Sequence, residues 1–196
     1  MRSMVTIEKI LQGERVYLRR YTPDDLDLVL AGSNEPEGAR LTGTHDTFTR
    51  EQVARYIENN RASGEDPANV SRAAFICADT ADDRAVGEVV INEIDHANRS
   101  ANIRIAIFNP SDWNRGYGSE ALHLMVGYGF ETLKLHRIEL GVYDFNPRAV
   151  RVYEKIGFKR EGVLRDALLW DGAYYDMIIM SILEHEWTRL SSSERQ

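Results

Sequence analysis

Polar and apolar side chains alternate along Arg15-Val-Tyr-Leu-Arg19, which predicts a first strand. Thr22-Pro23-Asp24-Asp25 then supplies an N-cap, a proline at the first helical position and an early acid, predicting a helix through Leu26, Val29 and Leu30. Thr49-Arg-Glu-Gln52 has the spacing of a capping box and opens a second helix through Val53, Tyr56 and Ile57. Residues 61–69, with Gly64 and Pro67, read as a loop. Three runs follow at short spacing, Ala73–Ala78, Ala85–Ile94 and Asn102–Ile107, separated by turn-rich Asp79–Asp83 and Asp95–Arg99. They predict an antiparallel meander. From about Gly118 to Leu133 the apolar residues Leu122, Met125, Val126 and Leu133 share a helical face. Arg137–Tyr143 reads as a strand, and Asn146-Pro147 opens a short helix that Gly157 ends. Val163–Trp170 and Tyr174–Leu183 flank Asp171-Gly172, a hairpin signal.

A helix between the Asn102–Ile107 and Arg137–Tyr143 strands requires a parallel crossover within an otherwise antiparallel sheet. The fold class expected is therefore α/β (α+β): a single domain with a mixed, mostly antiparallel sheet, one parallel crossover and flanking helices. The final strand is apolar on both alternating sets, including Met177, Ile178, Ile179 and Met180. As an exposed edge it would invite pairing with a second copy, so a homodimer or larger homo-oligomer is expected, burial of the strand beneath a helix being the alternative.

Composition narrows the function classes. The chain of 196 residues is 43% hydrophobic and 28% charged, which excludes disorder as its main state. Its single cysteine, Cys77, excludes an intramolecular disulfide and a cysteine-rich zinc site, and fits a reducing, cytoplasmic setting. No apolar run approaches the roughly 18 residues of a membrane helix, and Met1-Arg2-Ser3-Met4 followed by Glu8 and Lys9 is not a secretory signal. A net charge of −7 argues against nucleic acid and anionic membranes as partners and is compatible with a cationic substrate. His45, His96, His123, His136 and His185 are dispersed without metal-ligand spacing, so no metal is expected. No Ser-His-Asp or Cys-His arrangement suggests a covalent intermediate.

The most informative segment is Trp113-Asn-Arg-Gly-Tyr-Gly-Ser-Glu-Ala121, between a strand and the long helix. Gly116 and Gly118 permit positive φ and close approach of a ligand. The N–H groups at the helix start favour an anion such as a pyrophosphate, with Arg115 adding a cation. A plain surface turn gives the same pattern. Gly116-x-Gly118-x-x-Ala121 also matches the dinucleotide fingerprint formally, with Asp144 further on. That context is wrong, because Phe108–Arg115 separates strand from glycine and the chain offers one crossover where a Rossmann domain needs several. A second segment, Asn146 to Phe158, puts Ala149, Val150, Tyr153 and Ile156 on one helical face. On spacing alone Tyr153 reads first as a core tyrosine with its hydroxyl satisfied by backbone.

Together these segments resemble the GNAT superfamily of acyl-CoA-dependent N-acyltransferases. Residues 113–118 match the family's pyrophosphate motif, Gln/Arg-x-x-Gly-x-Gly/Ala, except that Trp113 stands at its first position. Tryptophan there, followed by Ser-Glu-Ala, is typical of the branch of ribosomal-protein N-terminal acetyltransferases. Asn146–Phe158 resembles the second motif, Asn-x-x-Ala/Ser-x-x-x-Tyr-x-Lys-x-Gly-Phe. The chain is also similar to spermidine N-acetyltransferases, around Tyr128–Phe130 and the final hairpin. The resemblance covers about residues 15–187, leaving 1–14 as an N-terminal extension and 188–196 as a frayed tail.

The resemblance implies acetyl transfer from acetyl-CoA to a primary amine by direct attack in a ternary complex. The cofactor would lie against main-chain groups of Ile105 and Ile107, the turn of Arg115, Gly116, Tyr117, Gly118 and Ser119, Asn146 and Tyr153. With Trp113 in place of an amide or guanidinium, phosphate binding rests on main-chain N–H groups and Arg115. The strand carrying Ile105 and Ile107 would diverge from Arg137–Tyr143 to open a cleft. Tyr153 would donate the proton that the departing thiolate needs. A base must neutralise the amine, and Glu88 and Glu93 are the candidates. They lie on opposite faces of one regular strand, so only one faces the cleft unless a bulge intervenes. Glu93 is preferred slightly, since it aligns with a glutamate of the spermidine enzymes. The acceptor stays open between a protein N-terminus, a small polyamine, suggested by Glu35, Glu37, Glu51 and Glu58, and an aminoglycoside-type amine. A non-catalytic acyl-CoA sensor is the alternative.

Overall fold

The computed structural model describes residues 8–62 and 65–187. The predicted tail 188–196, the start of the extension (1–7) and Gly64 lie outside them. The described residues form eight strands and five α-helices: β1 (Lys9–Gln12), β2 (Val16–Arg19), α1 (Leu26–Ser33), α2 (Pro36–Thr42), α3 (Arg50–Asn60), β3 (Ala73–Asp79), β4 (Ala85–Asp95), β5 (Ser100–Ile107), α4 (Tyr117–Glu131), β6 (Arg137–Tyr143), α5 (Pro147–Ile156), β7 (Lys159–Trp170) and β8 (Ala173–Leu183). One sheet holds all eight strands in the order β1-β2-β3-β4-β5-β6-β8-β7. Only β5 and β6 pair in parallel, across the α4 crossover, as the sequence pattern requires.

The sheet is covered on both sides. Phe75, Val89, Ile91, Leu122, Met125, Ile138, Met180 and Ile182 form the core beneath α4 and α5. Val29, Val53, Ile57, Ala74, Ile76, Val90 and Phe108 form the core beneath α1 and α3. β3 is buried at all seven positions, which is why it reads in sequence as a continuous apolar run.

Several expectations are corrected. Lys9–Gln12 is a strand paired to β2, so part of the presumed extension belongs to the sheet. It was missed because four residues carry too little periodicity. α2 was missed because Glu35-Pro36 offers an unusual cap: the Glu35 carboxylate accepts the Gly38 N–H at 2.5 Å. β8 is not an edge. It lies between β6 and β7, which explains apolar residues on both of its faces. The exposed edge is β7, where Val163 and Leu164 are each 53% accessible.

Candidate active site

β5 and β6 pair only at Ser100–Asn102 and Arg137–Glu139, after which their pairing ends. Each strand is held along its length by its other neighbour: Gly87–Asn92 of β4 pairs with β5, and Met177–Leu183 of β8 with β6. A bulge in β4 between Asn92 and Asp95, with Glu93 at φ +55°, adds to the local twist. The outcome is a cleft between β5 and β6, closed at Ser100 and open towards Ile107 and Tyr143.

Main-chain direction decides what lines this cleft. The Phe108 N–H donates to the Val86 carbonyl at 3.0 Å. Even-numbered residues at this end of β5 therefore point their N–H and C=O groups at β4, while Ile105 and Ile107 point theirs into the cleft. The Ile107 carbonyl is already engaged, accepting the Trp113 indole N–H at 3.0 Å. Expectation is thus narrowed to the Ile107 N–H and both main-chain groups of Ile105. Trp113 acts as a clasp at the end of β5, its ring covered by the Arg148 guanidinium at 4.7 Å.

The glycine turn opens α4 beside this strand. Gly116 is the N-cap, at φ +87°, and no side chain caps the helix. The N–H groups of Tyr117, Gly118 and Ser119 consequently have no intrahelical acceptor. The two glycines differ. Gly116 is dictated by its left-handed backbone. A Cβ at Gly118 would meet only Ile107 and Ile105 side chains at 3.5 and 3.8 Å, ordinary contacts. Neither backbone strain nor protein packing demands glycine there. Ion pairs hold the turn in place. The buried Asp112 carboxylate receives Arg84 at 2.7 and 2.9 Å and Arg115 at 3.2 Å, and these guanidiniums, Arg84 first, hold its pKa low. The Tyr117 hydroxyl donates to Asp79 at the end of β3.

Across the cleft, Asn146 caps α5 by accepting the Ala149 N–H at 3.1 Å. Tyr153 lies one to two turns further along, edge-on to Phe158 with ring centroids 6.0 Å apart. Burial alone pushes its phenol up to about 12, with no charged or hydrogen-bonding neighbour contributing. Tyr153 packs against the α4–α5 core.

Glu88 belongs to the opposite face. Its register partner is Ala106, near the open end of the cleft. Its carboxylate accepts the Tyr21 hydroxyl at 2.6 Å and the Tyr56 hydroxyl at 3.3 Å. Arg72 in turn donates to the Tyr56 oxygen at 2.9 Å. Burial raises the Glu88 pKa despite the opposing tyrosine hydrogen bonds and the charges of Arg72 and Arg104. Burial also raises both phenols, Tyr56 to about 12. Tyr21 is fixed by the connection that carries it, where the buried Arg19 guanidinium binds Asp25 at 2.6 and 2.8 Å.

Glu93 is not brought to this place. It is exposed, at the bulge near the closed end, five residues and roughly 16 Å of strand from Glu88. Of the two candidate bases, Glu93 therefore lies exposed at the bulge and Glu88 lies near the open end of the cleft. Glu35, Glu37, Glu51 and Glu58 form no common cluster: Glu35 caps α2, while Glu37 and Glu58 pair with Arg40 and Arg61.

Residues 15–159 match the family described as Acetyltransferase (GNAT) domain. The chain is a GNAT acetyltransferase. Among characterised and uncharacterised relatives, it is 30% identical over 175 residues to the uncharacterized N-acetyltransferase YoaA of Bacillus subtilis (strain 168), covering 89% of this chain and 97% of that protein. It is 34% identical over 106 residues to the spermidine N(1)-acetyltransferase of Escherichia coli (strain K12), covering 54% of this chain and 56% of that one. Among solved structures, the spermidine N-acetyltransferase from Vibrio cholerae in complex with CoA and spermine superposes with a TM-score of 0.79 at 25% identity, over 90% of this chain and 99% of that one. GNAT acetyltransferases are N-acetyltransferases that use acetyl-CoA.

For this GNAT chain, sequence reading found both motif segments and missed the residues that surround Glu88. Tyr21, Tyr56 and Arg72 reach it from 67, 32 and 16 positions away. No local spacing announces such a cluster; Tyr56 reads as one more residue on the apolar face of α3.

Proposed function

We propose that this acetyltransferase acetylates a small primary amine of the polyamine type, the donor and acceptor meeting through the cleft between β5 and β6. The observation that carries the reading is the loss of β5–β6 pairing beyond Asn102, with Tyr153 on one face of the sheet and Glu88 on the other. Acetyl-CoA supplies an acetyl group activated as a thioester. The features present fit it. Open main-chain groups of Ile105 and Ile107 suit the amides of an extended pantetheine, and the uncapped start of α4 suits its phosphates. The residues that would hold it are Ile105, Ile107, Arg115 and the Gly116–Ser119 turn, with Asn146 fixing the cleft wall.

Glu88 takes a proton from the incoming ammonium, directly or through water. A buried carboxylate with a raised pKa is a better base than an exposed one, and desolvation also favours the neutral amine beside it. Tyr153, protonated throughout the neutral range, gives its proton to the departing sulfur as the C–S bond breaks, and takes back the second proton that the nitrogen loses on becoming an amide. Direct attack needs no nucleophile from the protein, and the buried Cys77 thiol, its pKa pushed up by burial, is unsuited to be one. The polyamine class rests on the spermidine relatives and on the net charge of −7. The test is thiol release from acetyl-CoA with spermidine, spermine, N-terminal peptides and an aminoglycoside. Turnover highest with polyamines supports the reading, whereas preference for peptides by tenfold or more replaces the acceptor class.

A further inference from the structure

Arg15 stands at the glycine turn although it is a hundred residues away in sequence. It ends the β1–β2 turn, whose backbone is fastened to α4. The Glu120 carboxylate, in the first turn of the helix, accepts the main-chain N–H groups of Glu14 and of Arg15, the latter at 3.0 and 3.2 Å. Gly13 has no room for a Cβ against that carboxylate. This anchorage lays the Arg15 side chain along Gly116: a Cβ built there would lie 3.5 Å from its Cδ and 3.6 Å from its Nε. The guanidinium reaches Glu120 only at 3.7 Å, and the side chain is 60% accessible. Arg115, the cation that the motif itself provides, is turned towards the buried Asp112, which Arg84 already grips with two hydrogen bonds.

We infer that Arg15 is a phosphate-binding residue of the donor site, closing over the nucleotide end of acetyl-CoA beside the N–H groups of Tyr117–Ser119. The inference rests on the proposed assignment of that turn to the donor. An arginine there adds a charge-assisted, two-pronged contact to the main-chain donors of the helix start and to Arg115, which is shared with Asp112. Glu120 then has a second role. By accepting the two N–H groups it positions the Arg15 backbone, and its carboxylate keeps the guanidinium from swinging to solvent.

Calorimetric titration of the full chain with CoA, dephospho-CoA and pantetheine tests this. Arg15→Gln is expected to weaken CoA binding about tenfold, with an unchanged melting temperature because the side chain lies at the surface. Arg15→Lys should recover part of the loss. A loss shared by dephospho-CoA but not by pantetheine assigns the contact to the pyrophosphate; a loss confined to CoA assigns it to the 3′-phosphate; either supports the role. Equal affinity of Arg15→Gln and the parent chain for CoA overturns it, as does an equal loss with pantetheine. Failure of the parent chain itself to bind CoA would instead overturn the donor-site assignment beneath it.

Discussion

The Tyr21 hydroxyl donates to the Glu88 carboxylate at 2.6 Å, joining the connection after β2 to the middle of β4. The bond is made in a partly buried setting where the carboxylate's pKa is raised by desolvation and lowered by this very contact. Glu88 is thus held between two opposing effects, with burial the larger.

That balance gives a pH prediction. With the ionised form of Glu88 as the proposed base, kcat/KM should fall as pH drops through a value above the ordinary glutamate range of about 4.3. Glu88→Gln should lower kcat by about 10²–10⁴-fold and abolish that acidic limb. Tyr21→Phe removes a bond that favours the carboxylate, so its limb should move to higher pH. A limb that persists unchanged in Glu88→Gln would exclude Glu88 as the group responsible.

Stability should respond in the opposite sense to activity. A carboxyl whose folded pKa is raised binds its proton more tightly folded than unfolded. Its contribution is fully present below the unfolded pKa and is lost as pH rises through the folded value. Wherever Glu88 is ionised its partly buried charge is a cost, and Glu88→Gln keeps an acceptor for Tyr21 while removing the charge. Its melting temperature at pH 7 is expected to equal or exceed that of the parent chain. A clear decrease, measured by calorimetry, would contradict this account.

Tyr153→Phe separates chemistry from packing. The hydroxyl has no charged or hydrogen-bonding neighbour in the described structure to lose, and the ring keeps its edge contact with Phe158. We expect kcat to fall about 10²–10⁴-fold, KM for acetyl-CoA to move far less, and the melting temperature to stay unchanged. Full kcat, with chemistry limiting the rate, would return Tyr153 to the core.

The two glycines of the turn should fail differently. Gly118→Val places a branched side chain beside the exposed N–H groups, and its Cβ meets only ordinary contacts within the protein. It should weaken acetyl-CoA binding tenfold or more, about 1.4 kcal/mol, at little cost in stability. Gly116→Ala forces a left-handed residue at φ +87° and should cost about 1–2 kcal/mol of stability. Denaturant titration and calorimetry on both variants check the contrast.

β7 carries the prediction about assembly. It is one of the two outer strands of the sheet, with Val163, Leu164 and Leu169 exposed, and pairing with a second copy would cover them. Light scattering at micromolar concentration should report a dimer or larger, and Val163→Lys with Leu164→Lys should reduce it to a monomer. A monomeric parent chain would remove the idea.

The sequence by itself determined the order of most elements, the parallel crossover and the two segments flanking the cleft. Those signals are local. Thr49 to Gln52 cap their own helix, Gly157 at φ +115° ends its own, and Asp171-Gly172 turns its own hairpin. Tertiary structure alone decided which strand became the edge, because strand order depends on long-range pairing rather than on any run's composition. It also set Glu88 and Glu93 in different surroundings: the irregularity in β4 between Asn92 and Asp95 interrupts the alternation of one strand, which a regular pattern cannot anticipate. Tyr21 and Arg15 reached their positions for the same reason. Each meets a carboxylate far away in sequence, Glu88 for Tyr21 and Glu120 for Arg15, through contacts that depend on how the elements are brought together in space.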